Sequence, residues 1–592
     1  MENVSAFMMH HVVNKSAGNP NKKNKKRRKA RKNSPNILEN GITKKKDLVA
    51  RGNPVKALKK VNENILSPKP TASPKIKDSQ VNKTPSKSPK SKSSENEKLS
   101  SVQRSTSPTK QQSPNTPKIS ETRVKSTPSS SSKSKSISFE NSFQTKRLFD
   151  WMISPIQVDD FMKNYWEKKP LHISKRHSEY SLLLSTPIID NLLHYSNLIY
   201  TKNIDITFYT DGVKELHNQE GVARPHVVWD FYLNKCSIRL LNPQTFVPNI
   251  HKLDSELQEY FGCFVGCNAY LTPPHSQGFA PHYDDIEAFI LQIEGKKLWK
   301  VYAPRYECEM LPRYSSSDLD EDDLGEPLMT VLLEEGDLLY LPRGYIHQAC
   351  TQDSNHSLHI TISAYQCNAW IDLMEKVVPK ALENAWKDDI EFRKGLPLDF
   401  LKAAGLARNP DYKDARMAIK RNIKNLIYKL VDHIELDSAV DQLGHKLMND
   451  ALPPVLTEEE KKCTVFGGGL TMFSKGVITG VERFEFTQEM EVVLLRQYVS
   501  RFVKEFDTGK KGQNRIVYRL YYTTDNSLEY HGEPTSFFII PKSSVRAIQT
   551  LFQRYPEYIP VEDIPHPDVD ERITLMADLW ERGIIRTKEP LL

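Results

Sequence analysis

A mainly β core of barrel or sandwich type, preceded by a long basic arm and followed by helices, is the architecture the sequence predicts. Three observations predict it. Apolar, β-branched stretches punctuated by Gly and Pro dominate from about residue 226 to 366: CFVGCNAYL, EAFILQI, KLWKVYAP, MTVLLEEGDLLYLP and HITISAY. From Trp370 the periodicity turns helical. The composition also breaks near residue 140: residues 1–140 carry 32 Lys/Arg against 9 Asp/Glu, a net of +23, and the remainder carries 51 against 65, a net of −14. At 592 residues the chain is too long for one core and divides, on texture, into 1–140, 141–368, 369–455 and 456–592.

Residues 1–140 are rich in Lys, Ser, Pro and Asn and almost empty of aromatics. Such a segment cannot bury enough apolar surface to offset chain entropy, so a disordered basic arm is expected. Its densest block is Lys22-Lys23, Lys25-Lys26-Arg27-Arg28-Lys29 and Arg31-Lys32. That block reads as a nuclear or nucleolar targeting signal or a nucleic-acid clamp, with a solvated charge run as the plain alternative. Ser/Thr-Pro steps recur from Ser67 to Thr127. A phosphate placed on any of them would cancel nearly two positive charges. The acidic body, by contrast, suits a basic protein partner.

Order is expected from about Lys146. The segment Phe161–Leu171 alternates apolar and charged residues at helical spacing, and Pro170 is expected to stop that helix. The strands follow, interrupted by an acidic insert, Asp318 to Glu326, that reads as a loop. Farther on, Ile419, Ile423, Leu426, Ile427, Leu430 and Ile434 make one apolar stripe on a charged helix, either intramolecular core or a dimer seam. After about 456, short strands mix with helices at Val545–Phe552 and Val569–Arg582, the last closed by Gly583.

Seven cysteines are scattered through the body, with no CxxC pair and with Cys263 and Cys267 in one expected strand. An odd, dispersed set argues for a reducing compartment and against a disulfide framework or a zinc knuckle. The opening MENVSAFMMHHVVNK lacks the apolar core of a secretory signal, and no later stretch suits a bilayer span. An intracellular protein without a membrane partner is therefore expected.

The chemistry begins with His282-Tyr283-Asp284. In an extended strand, positions i and i+2 share a face, so imidazole and carboxylate can converge on one ion. Alone the HxD pair is weak, because 17 histidines make one nearly expected by chance. Pro342-Arg343-Gly344-Tyr345-Ile346-His347 strengthens it: the strand Leu338–Leu341 ends in a tight turn that delivers a third ligand. Two His and one carboxylate on a β scaffold form a facial triad, which leaves positions on Fe(II) for a bidentate ketoacid and O2.

A bound 2-oxoglutarate needs a buried cation for its distal carboxylate. In the strand after the Glu294-Gly295 turn, Lys297, Trp299 and Val301 share one face, and Lys296, Leu298, Lys300 and Tyr302 share the other. The face with a single lysine among apolar neighbours is expected inside. A buried lysine without a partner costs several kcal/mol or loses its proton, so an inward Lys297 implies an anion. Alternation alone leaves open an exposed lysine on an irregular strand. Asn268 and Tyr270 alternate with Cys267, Ala269 and Leu271, and His359, Thr361 and Ser363 alternate with Leu358, Ile360 and Ile362. Inward polar stripes in a small barrel imply a ligand cavity; solvent-facing stripes read the same. His359 is expected as a neighbour of the triad, not a fourth ligand.

Taken together, the segments YWEKKPL, GCNAYLTPPHSQGFAPHYDDIEAFILQIEGKKLWKVYAP and GDLLYLPRGYIHQA resemble the JmjC ribosomal oxygenases. The similarity runs from about residue 145 to the end, and the arm fits only in character. It implies a double-stranded β-helix core of cupin/JmjC type with a helical cap, a helical dimerisation region and a C-terminal winged helix. It implies His282, Asp284 and His347 as iron ligands and Lys297 as the partner of the 2-oxoglutarate carboxylate. It suggests Asn268, Tyr270 and Ser363 as co-substrate-pocket residues and Arg239 as a substrate contact.

The implied reaction oxidises 2-oxoglutarate to succinate and carbon dioxide while O2 hydroxylates a substrate C–H bond. A histidine carbon would give hydroxyhistidine; an N-methyl-lysine would give lysine and formaldehyde. The family suggests a histidine of a large-subunit ribosomal protein, and the methylated fourth and thirty-sixth lysines of the histone-three tail. With them come a nucleolar location and regulation of chromatin and transcription, as a repressor. The hydroxylase is favoured because the helical and C-terminal modules resemble ribosomal oxygenases and no separate histone-reading domain is evident. The competing class is a non-catalytic metal-binding cupin adaptor of chromatin or preribosomes, which would have no need of Lys297. A cupin isomerase or hydrolase with another metal would not depend on O2.

Overall fold

The structure is a computed structural model that describes residues 145–174, 178–352, 355–468, 472–479, 485–508, 514–529 and 535–591. The expected disordered arm, its basic block and its Ser/Thr-Pro steps lie outside these residues. The described chain opens with α1 (Thr145–Ile153), α2 (Val158–Asn164), β1 (Leu171–Ile173), α3 (Thr186–Tyr195), β2 (Ile204–Thr210), β3 (Val213–Leu216), α4 (Pro225–Leu233), β4 (Ser237–Leu241) and α5 (Pro248–Phe261). Proline opens α4 and α5, where a missing N–H interrupts no helical bond.

The structure corrects the expected entry helix and the expected start of the β region. The helix expected to run to Pro170 ends at Asn164. Tyr165 and Trp166 leave helical geometry to lay their rings on Phe161, Phe261 and Tyr340, and Leu171 already belongs to a strand. The β region also begins earlier than 226, with β2 and β3, and includes the helices α4 and α5.

Seven strands build the rest of the barrel: β5 (Val265–Thr272), β6 (Glu287–Gly295), β7 (Lys297–Tyr302), β8 (Met329–Leu333), β9 (Leu338–Leu341), β10 (Ile346–Cys350) and β11 (Ser357–Ala364). Cys263 precedes β5, so only Cys267 lies in that strand. The large sheet has the order β1-β9-β6-β11-β5-β4-β2-β3 and the small one β10-β7-β8. The chain passes repeatedly between the two, as a double-stranded β-helix does. Ile290 of β6 and Leu339 of β9 pack against Trp299 and Val301 of β7, which joins the sheets face to face.

The large sheet has two unlike faces. Its outer face carries Cys267, Ala269, Leu271, Phe289, Leu291, Leu358, Ile360 and Ile362 into one core with Phe149 and Met152 of α1, Phe161 of α2 and Leu253 of α5. Its inner face lines the barrel. There Asp205, Arg239, Tyr270, His359 and Gln292 stand side by side on five neighbouring strands.

The helices α6 (Trp370–Asp388), α7 (Phe400–Ala403), α8 (Lys413–Leu430) and α9 (Leu436–Asp450) follow. The apolar stripe lies on α8, but the helix stops before Ile434. Ile423 and Ile427 are 52% and 60% exposed, so among the described residues nothing buries this part of the stripe.

The last region contains α10 (Glu458–Lys462), β12 (Met472–Ser474), β13 (Val477–Thr479), β14 (Glu491–Leu494), β15 (Ser500–Thr508), β16 (Asn514–Tyr522), β17 (Phe537–Ile540), α11 (Val545–Arg554), β18 (Ile559–Pro560), α12 (Val569–Glu581) and β19 (Ile585–Thr587). Its core joins Val492, Leu520, Ile548, Leu551, Met576 and Trp580. Gly583, at φ 65, closes α12 as expected. Among the described residues no helix is long and apolar enough to cross a membrane, and all seven cysteines are free thiols.

One core group works against stability at neutral pH. Asp254 of α5 is fully buried, and neither carboxyl oxygen has a hydrogen-bond partner among the described residues. Burial raises this carboxyl well above its ordinary range. The folded state therefore keeps a proton that the unfolded state releases near pH 4. Stability should fall by about 1.4 kcal/mol per pH unit above that point, until the folded group ionises. Asp254→Asn removes this term. Its melting temperature should gain on the parent steadily from pH 4.5 to 7.5; a constant offset across that range would refute the assignment.

Candidate metal centre and adjoining pocket

His282 lies in an isolated antiparallel bridge with His347, where a regular strand was expected. The two residues exchange both backbone bonds: His347 N donates to His282 O at 2.8 Å, and His282 N to His347 O at 3.2 Å. Residues paired in this way project their side chains from the same face, and the two imidazole centroids are 4.6 Å apart. Asp284, two residues on, joins them. His282 Nε2 is 3.9 Å from Asp284 Oδ1, and His347 Nε2 is 3.8 Å from Asp284 Oδ2. One ligand atom from each residue fits within 4.8 Å of the others. The structure thus brings together all three residues expected to hold the metal.

Second contacts fix the ligand atoms. His282 Nδ1 lies 2.8 Å from Ala280 O and His347 Nδ1 lies 3.1 Å from Tyr345 O. A carbonyl accepts only from N–H, so both rings carry their proton on Nδ1 and present Nε2 as a lone pair. Burial, with His282 beside it, pulls His347 down to about 4, which keeps it a neutral ligand. The turn before His347 is pinned by Gly344 N donating to Asp284 O at 2.9 Å. On the other side, Ser316 N donates to Tyr283 O and Leu319 N to Pro281 O, at 3.0 and 2.9 Å. The head of the acidic insert is thereby stitched to the HxD segment. The insert is a loop with one 3₁₀ turn, Glu321–Asp323.

Lys297 lies inside, 4% exposed. Its Nζ donates to Thr272 Oγ1 at 3.0 Å and sits 5.9 Å from the Trp299 ring. Burial pulls its ammonium down to about 7, opposed only by the Cys350 thiol. Beside it Trp299 Nε1 and His359 Nδ1, and farther along β5 Asn268 Oδ1, are buried without partners among the described residues. His359 stacks on Tyr270 at 4.9 Å, and burial with Lys297 and His347 nearby keeps it neutral. A lone buried ammonium and three unmatched polar atoms beside a His-Asp-His cluster fit a dianionic ketoacid chelating a metal. Ser363 is buried on the same inner face, in register with Gly266 and Ala288.

Arg239 of β4 also faces inward. It is held by Asp205, whose second oxygen accepts from Asn218 Nδ2 at 2.7 Å. The Arg239 guanidinium carbon lies 5.4 Å, and Lys214 Nζ 5.2 Å, from the Phe279 ring centroid. That ring is 6.5 Å from His282. Sequence reasoning missed Thr272, although it continues the period-2 series of Asn268 and Tyr270. It also missed Asp205, although Asp205 and Thr207 interrupt Ile204 and Ile206 in the same rhythm.

The JmjC domain family matches residues 239–373, and the C-terminal winged helix domain of ribosomal oxygenase 1 matches 452–591. The chain is 44% identical over 438 residues to the bifunctional lysine-specific demethylase and histidyl-hydroxylase NO66 of Aedes aegypti, covering 74% of this chain and 67% of that protein. It is 44% identical over 447 residues to ribosomal oxygenase 1 of Gallus gallus (75% and 72% covered). It is 42% identical over 449 residues to that of Danio rerio (76% and 80%). Among solved structures, the Escherichia coli ribosomal oxygenase YcfD in complex with cobalt and 2-oxoglutarate aligns with 15% identity and a TM-score of 0.36, covering 74% of this chain and 99% of that one.

Gly344 has φ +92, and a Cβ there would lie 2.2 Å from Glu309 O. Gly344→Ala must therefore displace the turn that aims both Asp284 and His347. The expected outcome is a loss of about 2–4 kcal/mol of stability, with Co(II) affinity reduced at least tenfold in the protein that still folds. Unchanged affinity in calorimetric titration would show that the turn does not position the site.

Proposed function

The chain belongs to the ribosomal oxygenase 1 family of JmjC proteins, 2-oxoglutarate-dependent oxygenases that use Fe(II), and from that premise we propose that it hydroxylates a histidine of a basic ribosomal protein. In this reading His282, Asp284 and His347 hold the iron, and Lys297 with Asn268, Tyr270 and Ser363 surrounds the co-substrate. Bound Fe(II) would supply the oxidation: 2-oxoglutarate, O2 and a C–H bond become succinate, carbon dioxide and C–OH. The residues of this chain do the rest. Lys297, held by Thr272, gives the distal carboxylate its counter-charge. His359 and Trp299 keep water from that end of the pocket, and Arg239 and Tyr270 border the place where a substrate side chain enters.

The observation that carries histidine over methyl-lysine is the crowding of cations around Phe279. A methylated ammonium is recognised by a free aromatic face or a carboxylate. Here Arg239 and Lys214 already stand at the ring, and Asp205 is engaged by Arg239 and Asn218. A neutral imidazole meets no such repulsion. The demethylase reading, on the fourth and thirty-sixth lysines of the histone-three tail, is favoured by one feature, the exposed acidic loop at Asp318–Asp323 that adjoins the HxD segment.

The wider assignment has four parts. Residues 1–140 form a nuclear, nucleolar arm able to hold nucleic acid; 141–368 are catalytic; 369–455 dimerise; and 456–592 complete the chain as a winged helix. A link to chromatin and transcriptional repression goes with the demethylase.

The test is succinate release by the full chain with Fe(II), 2-oxoglutarate and O2, given ribosomal-protein histidine peptides and trimethyl-lysine histone peptides in parallel. A mass gain of one oxygen on histidine, lost in His282→Ala and reduced at least a hundredfold in Lys297→Met, is expected. Formaldehyde with loss of a methyl group would transfer the assignment to the demethylase. No turnover alongside intact metal binding would favour the adaptor. The dimer is tested separately by sedimentation equilibrium. The parent should show twice the monomer mass, and Ile423→Asp with Ile427→Asp should bring it to one; a monomeric parent would end the dimer reading.

A further inference from the structure

Outside the barrel, the segment between α2 and β1 contacts the turn that carries one residue of the metal site proposed above, and its role rests on that site. His347 is delivered by the turn Pro342–Tyr345, closed by Tyr345 N donating to Pro342 O at 3.2 Å. That turn is gripped from outside at two consecutive points. Arg343, buried at 7% exposure, directs its Nη2 onto the Glu167 carboxylate, while its Nε stands 3.7 Å from Glu287 Oε1. Two residues later, Tyr345 OH donates to Lys168 O at 2.7 Å.

The same segment is then tied to the strands on either side. Glu167 N donates to Tyr340 OH at 2.9 Å, and Tyr340 OH donates to Glu287 Oε2 at 2.5 Å. Glu287 begins β6, three residues after Asp284, and Tyr340 lies in β9, just before the turn. One loop of contacts thus joins the strand that follows the first two ligands to the turn that precedes the third. Gly344, between the two gripped residues, donates its N–H to Asp284 O.

Two features argue that this arrangement does more than fill space. Glu167 sits at φ 55, left-handed backbone that a glutamate adopts at a cost and that glycine would occupy freely. The position nonetheless carries a carboxylate, and that carboxylate reaches Arg343. The group is also dear to bury: Glu287 has no exposure at all, and burial pushes its carboxyl up to about 7 against the pull of Tyr340 and Arg343. Apolar residues would hold two elements together at lower desolvation cost, and ionic networks of this kind are better suited to fixing one geometry.

We propose that Glu167 and Arg343 are positioning residues of the metal centre, an external brace that sets the angle at which His347 and Asp284 present their ligand atoms. Neither residue touches the ion; both act through the Pro342–Tyr345 turn. Removing the fork or the charge frees the turn to sample positions in which the ligand atoms no longer converge. The metal then binds more weakly, while the barrel, held by its own strand pairing and outer core, remains folded.

Glu167→Gln keeps the shape and loses the charge; Arg343→Lys keeps the charge and loses the planar guanidinium that stands between Glu167 and Glu287. Both are made in the full chain, with Co(II) as the probe. Its visible absorption reports affinity and ligand geometry without turnover, and a thermal melt of the metal-free protein reports the fold. Each variant is expected to bind Co(II) about tenfold or more weakly, with an altered absorption band and a metal-free melting point within a few degrees of the parent. The double variant should be little worse than either single one, because the two residues act as a unit. Unchanged Co(II) affinity and band in both variants would overturn the brace. A lowered melt with an unchanged band would do the same, since it marks an ordinary structural contact. His282→Ala separates this failure from failure of the site itself. If that variant binds Co(II) like the parent, the ion sits elsewhere, and the site and its brace fall together. If it abolishes binding while Glu167→Gln and Arg343→Lys do nothing, only the brace is lost.

Discussion

Two backbone hydrogen bonds, those exchanged between His282 and His347, are the constraint on which the rest of the site depends. The ligands are 65 positions apart in sequence, and no local pattern could bring them together. A single antiparallel pairing does it, because opposed residues in such a bridge place their side chains on one face at a separation set by the backbone alone. Asp284 then needs only to stay extended by two residues. Everything else nearby keeps that pairing in register: Gly344 bonds to Asp284, the insert bonds to Pro281 and Tyr283, and carbonyls of Ala280 and Tyr345 hold the imidazoles in one tautomer. Most of these restraints are backbone groups, which move less than side chains do.

The large sheet divides its labour between its faces. Outward, aliphatic and aromatic side chains meet α1, α2 and α5 and supply the burial that offsets chain entropy. Inward, the row from Asp205 to Gln292 is polar throughout, and it adjoins the smaller apolar cluster of Ile290, Leu339, Trp299 and Val301 that joins the two sheets. The charges in it are not treated alike. Arg239 has been given a carboxylate of its own, so its charge is settled before any ligand arrives. Lys297 has been given a hydroxyl, which positions it without neutralising it. A carboxylate in place of Thr272 would have neutralised the lysine within the fold; the hydroxyl leaves its charge unmatched. The choice of neighbour separates a cation neutralised within the fold from one that is not.

Much of this was legible in the sequence. Period-2 alternation grouped the residues of β5 and β11 by face without saying which face was inside, and the inward placement of Lys297 on β7 followed from one lysine among apolar neighbours. The HxD pair and the PRGYIH turn pointed to the three residues that the structure brings together, and Gly583 marked the end of α12. What escaped depends on partners distant in sequence. Glu167 lies 176 positions from Arg343, and in the linear chain it reads as one more charge on a helix. That helix was read too long because YWEKK has helical spacing, whereas Tyr165 and Trp166 are claimed by rings on α2, α5 and β9. The stripe on α8 was recognised, but periodicity cannot say whether the surface that meets it belongs to the same chain.

The span matched by the JmjC domain family, 239–373, is smaller than the physical unit that can hold the site. A chain cut at residue 239 would keep Arg239 and lose Asp205, which would leave a guanidinium unpaired on the inner face. It would keep Arg343 and lose Glu167, so the turn carrying His347 would retain a buried cation with only Glu287 beside it. It would also lose α1 and α2, which exposes Phe289, Leu291 and Tyr340 on the outer face. Each loss is costly by a different mechanism: an uncompensated buried charge, a released turn, and apolar area returned to water. Residues 145–238 therefore complete the site electrostatically as well as covering it.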